Sequence, residues 1–183
     1  MDYSKTRKRR KLRRHLRQLK MPKKLSKVLL FLLGIILVIG LGVISVQSFG
    51  RKMVVESNAM EPTLAENQIV NINKLAYMLS SPKRFDIIVF EVGKSGGRRY
   101  IRRVIGLPNE TVRIADGVIY INDEPLEIDF NDAYLINGGL AEEGVTLEME
   151  EYFVLGDNYN EAEDSRLSNI GNIDKDQIIG KIK

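Results

Sequence analysis

Thr111-Val-Arg-Ile-Ala-Asp-Gly-Val-Ile-Tyr-Ile121 is the stretch whose reading decides the fold class. Two short runs rich in β-branched residues, 111–115 and 118–121, flank Asp116-Gly117. An Asp-Gly pair between such runs predicts a two-residue hairpin, because glycine accepts the positive φ that the turn imposes. Working outward, Phe85-Asp-Ile-Ile-Val-Phe90 is a short apolar run suited to a buried strand. Tyr152-Phe-Val-Leu155 is another, ended by Gly156-Asp157-Asn158, and Ile178 to Ile182 offers a last one. The acidic stretch 130–150 contains Gly138-Gly139 and is expected to include an exposed loop. The outer part of the chain is therefore expected to be β-rich. Neither an internal repeat nor a long low-complexity tract interrupts it.

Val28 to Val46 reads VLLFLLGIILVIGLGVISV, 19 residues without a charge. As a helix it spans roughly 28 Å, close to the ~30 Å hydrocarbon core of a bilayer. This predicts one transmembrane helix over 28–46, a basic cytoplasmic tail over 1–27 and an extracytoplasmic β domain over 47–183. Residues 1–27 hold 13 Lys/Arg and one acidic residue, Asp2; residues 28–183 hold the other 15 Lys/Arg and 23 Asp/Glu. The net charge of +4 is therefore a tail of +12 joined to a remainder of −8. Basic residues before the span favour a cytoplasmic N-terminus, and hence a single-pass protein of the cell membrane. A cleaved signal peptide would want a shorter apolar core and an Ala-x-Ala-like exit. The exit here is Ser45-Val46-Gln47-Ser48-Phe49, which has no alanine. The tail's partner is expected to be anionic lipid rather than nucleic acid.

The chain has no cysteine, which excludes disulfides, thiolate metal sites and a cysteine nucleophile. Its one histidine, His15, lies in the basic run, which argues against a Ser-His-Asp triad or a histidine metal site. No metal or cofactor is expected.

Three clusters carry the remaining signal: Ser57-Asn-Ala-Met-Glu-Pro-Thr-Leu64, Tyr100-Ile-Arg-Arg-Val-Ile-Gly-Leu-Pro108 and Gly156-Asp-Asn-Tyr-Asn-Glu-Ala-Glu-Asp-Ser-Arg166. Each alone is better read as a turn or a strand end. Together, in this order and behind one apolar span, they resemble bacterial type I signal peptidases. The resemblance rests on Met60-x-Pro62-Thr63, Arg103-x-Ile105-Gly106-Leu107-Pro108, Gly156-Asp157-Asn158 and Asp164-Ser165-Arg166. It implies an antiparallel all-β ectodomain and cleavage of signal peptides from exported proteins. It also implies a Ser/Lys dyad, in which a desolvated, neutral lysine takes the proton of the attacking serine.

By the same resemblance, the nucleophile should stand immediately before Met60, where this chain has Ala59. The general base should stand immediately before Arg103, where it has Arg102. A serine that supports the base falls at Ala162, and a glycine usual before the Asp of the third strand is Phe85. A methyl group cannot attack a carbonyl, and arginine stays protonated in proteins. Ser57 matches a residue whose hydroxyl helps to form the oxyanion hole. Met53, Val55, Met60 and Ile101 match positions lining a groove that takes an extended peptide by strand addition, and plain core packing explains each equally well. Arg103, Asp157, Asp164 and Arg166 match charged residues that hold the strands of the site together by ion pairs. Lys52 and Lys74 are alternative bases by type alone.

Loss of nucleophile, base and base support together points to a naturally non-catalytic member. Degenerate members of this kind are associated with pilus assembly in Gram-positive bacteria, as chaperone-like accessories to sortase-catalysed polymerisation. The implied partners are exported polypeptides, with pilins or sortase among them. The alternative is an active type I signal peptidase that uses non-standard residues.

Overall fold

A computed structural model describes residues 23–48, 51–78, 80–93, 96–129 and 134–182. Most of the basic tail, His15 included, and residues 130–133 of the acidic stretch lie outside them. The chain divides into two compact units, Met1–Val46 and Gln47–Lys183. Helix α1 runs from Lys23 to Ser48. Its Lys24–Gly42 window has a mean hydropathy of 2.5 over 19 residues, and none of it is buried against protein. This helix is long and apolar enough to cross a membrane.

The second unit holds eleven strands among the described residues: β1 (Arg51–Val54), β2 (Ile69–Asn73), β3 (Ile87–Val92), β4 (Arg98–Gly106), β5 (Thr111–Ala115), β6 (Val118–Ile121), β7 (Glu124–Pro125), β8 (Val145–Thr146), β9 (Glu151–Leu155), β10 (Ile173–Asp174) and β11 (Ile178–Ile182). They form a seven-stranded sheet in the order β1-β2-β11-β3-β4-β9-β10 and a four-stranded sheet in the order β7-β6-β5-β8. Every pairing in both is antiparallel. The domain is all-β, as expected.

The β5–β6 hairpin forms where the Asp-Gly pair predicts it, with Ala115 opposite Val118. Asp116 and Gly117 take φ of +51° and +79°. Positive φ at both central residues is the primed geometry that matches strand twist. The 85–90 run behaves differently at its start. Strand β3 begins only at Ile87, because Phe85 adopts φ +70° and turns the chain into the sheet. The strand reads as a continuous apolar run because both its faces are covered. Ile88 and Phe90 pack with Val104, Tyr152 and Val154, while Val89 packs with Val55, Met60 and Ile101.

Strand β4 links the cores. Ile101 lies in the cluster of Val89, Val104 in that of Ile88, and Ile105 in the core of the small sheet. Pairing with β9 shifts register between Val104 and Gly106. A side chain at Gly106 would collide with Val112 and Leu147, which is why glycine closes this strand. The acidic stretch is more than a loop. Leu135, Ala141 and Leu147 drop into the small-sheet core, while Glu142 and Glu143 face outward.

Candidate functional site

The segment after β1, strand β4 and the segment after Gly156 enclose a groove of about 310 Å³. Ser57, Ala59 and Met60 come from the first, the last two within a single 3-10 turn, Asn58–Met60. Tyr100, Ile101 and Arg102 come from β4, and Glu161 and Glu163 from the third. Met53 and Val55 complete the apolar wall with Met60 and Ile101. Val55, Met60 and Ile101 are also members of a buried core cluster, with Met53 packed on it. Packing and lining are thus one arrangement here.

Ala59 is 2% exposed, and its carbonyl accepts the N–H of Asn158 at 3.0 Å. The Asn158 side chain donates to Asn58 O at 3.3 Å, so the Gly-Asp-Asn segment holds the 58–60 turn from two points. A side chain at Gly156 would collide with the Ala162 Cβ and stand 2.6 Å from the Ala59 carbonyl oxygen. Positions 59, 156 and 162 therefore meet, and only glycine at 156 leaves them room.

Arg102 is 4% exposed. Its Nε donates to Glu163 O at 2.7 Å and its Nη1 to Ile101 O at 2.6 Å. The guanidinium carbon stands 5.4 Å from the centre of the Tyr100 ring, within cation–π range. Burial pushes the guanidinium below the usual arginine value, while the negative charges of Asp164 and Glu163 oppose that shift. An arginine remains protonated under such conditions. Asp164 acts on Arg102 only as a nearby charge. Its carboxylate takes the N–H groups of Gly156 and Arg166 and the Arg166 guanidinium, with Nε at 2.8 Å and Nη2 at 2.8 Å. Arg166 also reaches Tyr159 O and Asn137 O, so this pair fastens the 137 and 159 segments together.

Arg103, on the opposite face of β4, makes the second buried bridge. Its Nε and Nη2 grip the two Asp157 oxygens at 2.8 and 2.5 Å. Nη1 donates to Phe85 O and Nη2 to Thr63 Oγ1. One planar fork thereby ties together four separate segments, which lysine could not do. Ser57 is exposed on the groove, and its side chain does not cap the 58–60 turn. Lys52 and Lys74 are exposed and do not line the groove.

Sequence reasoning missed a clasp across one end of the groove. Arg98 forms an ion pair with Glu163 at 3.0 Å, the Tyr100 hydroxyl donates to the same carboxylate at 3.3 Å, and Arg98 lies 5.2 Å over the Tyr100 ring. The signal was available: Arg98, Tyr100 and Arg102 alternate along a strand, so they share one face.

Chemically, positions 59 and 102 present a methyl group and a buried, fixed cation. The groove as a whole presents an apolar wall and a polar end.

The sequence matches the signal peptidase family, peptidase S26, over residues 25–183. Signal peptidase I of Bacillus caldolyticus is 36% identical over 140 residues, covering 70% of this chain and 75% of that one. Signal peptidase I P of Bacillus subtilis subsp. natto is 30% identical over 165 residues, covering 86% and 88%. A crystal structure of a signal peptidase I from Enterococcus faecalis V583 shares 31% identity, with a TM-score of 0.48 over 57% of this chain and 98% of that one. With the family matched from within α1 to the end of β11, the chain belongs to the peptidase S26 signal peptidases.

Proposed function

We propose that this protein is a membrane-anchored, non-catalytic signal peptidase relative that holds extended segments of exported polypeptides. It serves secretion or surface-fibre assembly as a chaperone-like accessory, with pilins or sortase as partners. Its N-terminus is cytoplasmic and residues 47–183 lie outside. The observation that carries the reading is Arg102, buried and fixed by two carbonyls beside the methyl of Ala59 in one groove. A permanently charged guanidinium cannot accept the proton that nucleophilic attack must release. What survives suits binding: an apolar wall, and β1 at the edge of the seven-stranded sheet, where an extended peptide can add as a strand.

The rival reading, an active signal peptidase, draws on the names of the relatives. It would need Ser57 to act with a base, and neither Lys52 nor Lys74 lines the groove. The full chain in detergent or lipid, incubated with a preprotein bearing an Ala-x-Ala site, is expected to release no mature product. Cleavage by the unmodified chain would overturn the non-catalytic reading. Restoring Ala59→Ser, Arg102→Lys and Ala162→Ser together and regaining cleavage would show that the groove still accepts a signal peptide. Unchanged surface polymers after deletion of the gene would remove the fibre-assembly role and leave peptide binding standing.

A further inference from the structure

Arg102 has five N–H donors, and hydrogen bonds among the described residues account for two of them, one on Nε and one on Nη1. Neither accepting carbonyl carries a charge, and among the described residues no carboxylate stands within 4.0 Å of the guanidinium. The acidic groups around it are committed elsewhere. Asp164 is held by Arg166, and Glu163 by Arg98 and the Tyr100 hydroxyl. Glu56 and Glu161 stand exposed on the rim, where water and salt weaken their pull. The buried charge that lines the groove is therefore a cation with unused donors on Nη2. A buried cation is costly until a counter-charge meets it, and a guanidinium fork matches a carboxylate.

We propose that Arg102 is a carboxylate-binding residue in this groove, and that the site takes an extended peptide presenting a carboxylate there, from its free C-terminus or from an acidic side chain. This rests on the peptide-binding reading above. The base position of a protease thus becomes an anchor for negative charge. Apolar contacts from Met53, Val55, Met60 and Ile101 hold the rest of the peptide without regard to its charge.

The test uses the full chain in detergent micelles and a fluorescein-labelled, alanine-rich hexapeptide in four forms. The C-terminus is free or amidated, and the fifth residue is glutamate or glutamine in each case. Fluorescence anisotropy gives the affinities. The carboxylate-bearing form should bind the unmodified chain tenfold or more tighter than its uncharged isostere, in keeping with hydrogen bonds to charged groups. Preference for the free C-terminus, or for glutamate, identifies the source. Arg102→Met should erase the preference while keeping apolar binding, and Arg102→Lys should retain a part of it. Equal binding of acid and amide forms by the unmodified chain overturns the carboxylate site and leaves the peptide groove standing. A preference that persists in Arg102→Met overturns it too, by assigning the charge to the rim. Absence of binding by all four forms overturns both the groove and the anchor. The acid-against-amide comparison needs no variant, so a variant that fails to fold does not spare the proposal.

Discussion

Phe85 offers a clean separation of backbone from side chain. At φ +70° it occupies the left-handed region, which costs an L-residue roughly 1–2 kcal/mol. It is held there from both sides: its N–H donates to Val104 O at 2.8 Å, and its carbonyl accepts from Arg103 Nη1 at 3.1 Å. Its ring, half-buried, packs against the small-sheet core and offsets the strain. Phe85→Ala and Phe85→Gly both lose the ring, and each should cost about 2 kcal/mol or more against the unmodified chain. They differ in the backbone. Alanine keeps the left-handed penalty; glycine removes it and returns part of the gain through a more flexible unfolded chain. The glycine variant should therefore be the more stable of the two by about 1 kcal/mol. Urea unfolding of the full chain in detergent, followed by near-ultraviolet circular dichroism of the tyrosines, measures the difference at constant slope. An alanine variant as stable as the glycine variant, or more so, would refute the claim that strain at this position is set by the backbone.

Asp157→Ala should destabilise the domain by about 3–5 kcal/mol, because it leaves Arg103 buried without its carboxylate; Asp157→Asn should cost less, and the same unfolding assay ranks them. Burial raises the Asp86 carboxyl, but hydrogen bonds from Lys181, the Lys83 N–H and the Tyr77 hydroxyl outweigh it and hold the group below its ordinary value of 3.8. Its stabilising contribution is thus complete above the unfolded value and is lost as pH falls through the lower folded one; Asp86→Asn should flatten that acid limb in unfolding midpoints measured between pH 5 and pH 2, taken as about the range in which carboxylates titrate.

The β scaffold was legible where local chemistry and tertiary need agree. The 111–121 hairpin is specified by its own turn residues, and β11 forms where its isoleucines mark a last strand, with a register shift against β3 between Ile178 and Gly180. The start of β3 was not legible from pattern. Apolar character runs through Phe85, yet the left-handed turn there depends on Val104 and Arg103, which are distant in sequence. The comparison with a family glycine at 85 did point to the position, and positive φ is the physical reason a glycine suits it. Within the site, composition at 59, 102 and 162 could be read directly, since a missing hydroxyl or a permanent charge needs no coordinates. The partner of Arg102 could not. Asp164 is taken by Arg166, and the chain gives Arg102 the carbonyl of the preceding residue, Glu163. Backbone acceptors carry no residue identity, so no pattern announces them.

A buried lysine and a buried arginine answer desolvation in opposite ways. Lysine can give up its proton and become a base; arginine keeps the charge and requires acceptors. The surroundings of Arg102 fit the second answer. Two carbonyls and a tyrosine face receive the guanidinium, and the Arg98–Glu163–Tyr100 clasp fixes the segment that supplies one of those carbonyls. A lysine placed there alone would inherit acceptors that favour its charged form, since hydrogen bonding to the charged state raises its affinity for the proton. Arg102→Lys by itself therefore recreates the residue type of the dyad without its neutral state. Position 162 matters for the same reason: its methyl packs on Gly156 and offers no hydroxyl to orient an amine. Ala59, Arg102 and Ala162 thus stand around one groove, and the acceptors that surround Arg102 suit a fixed positive charge.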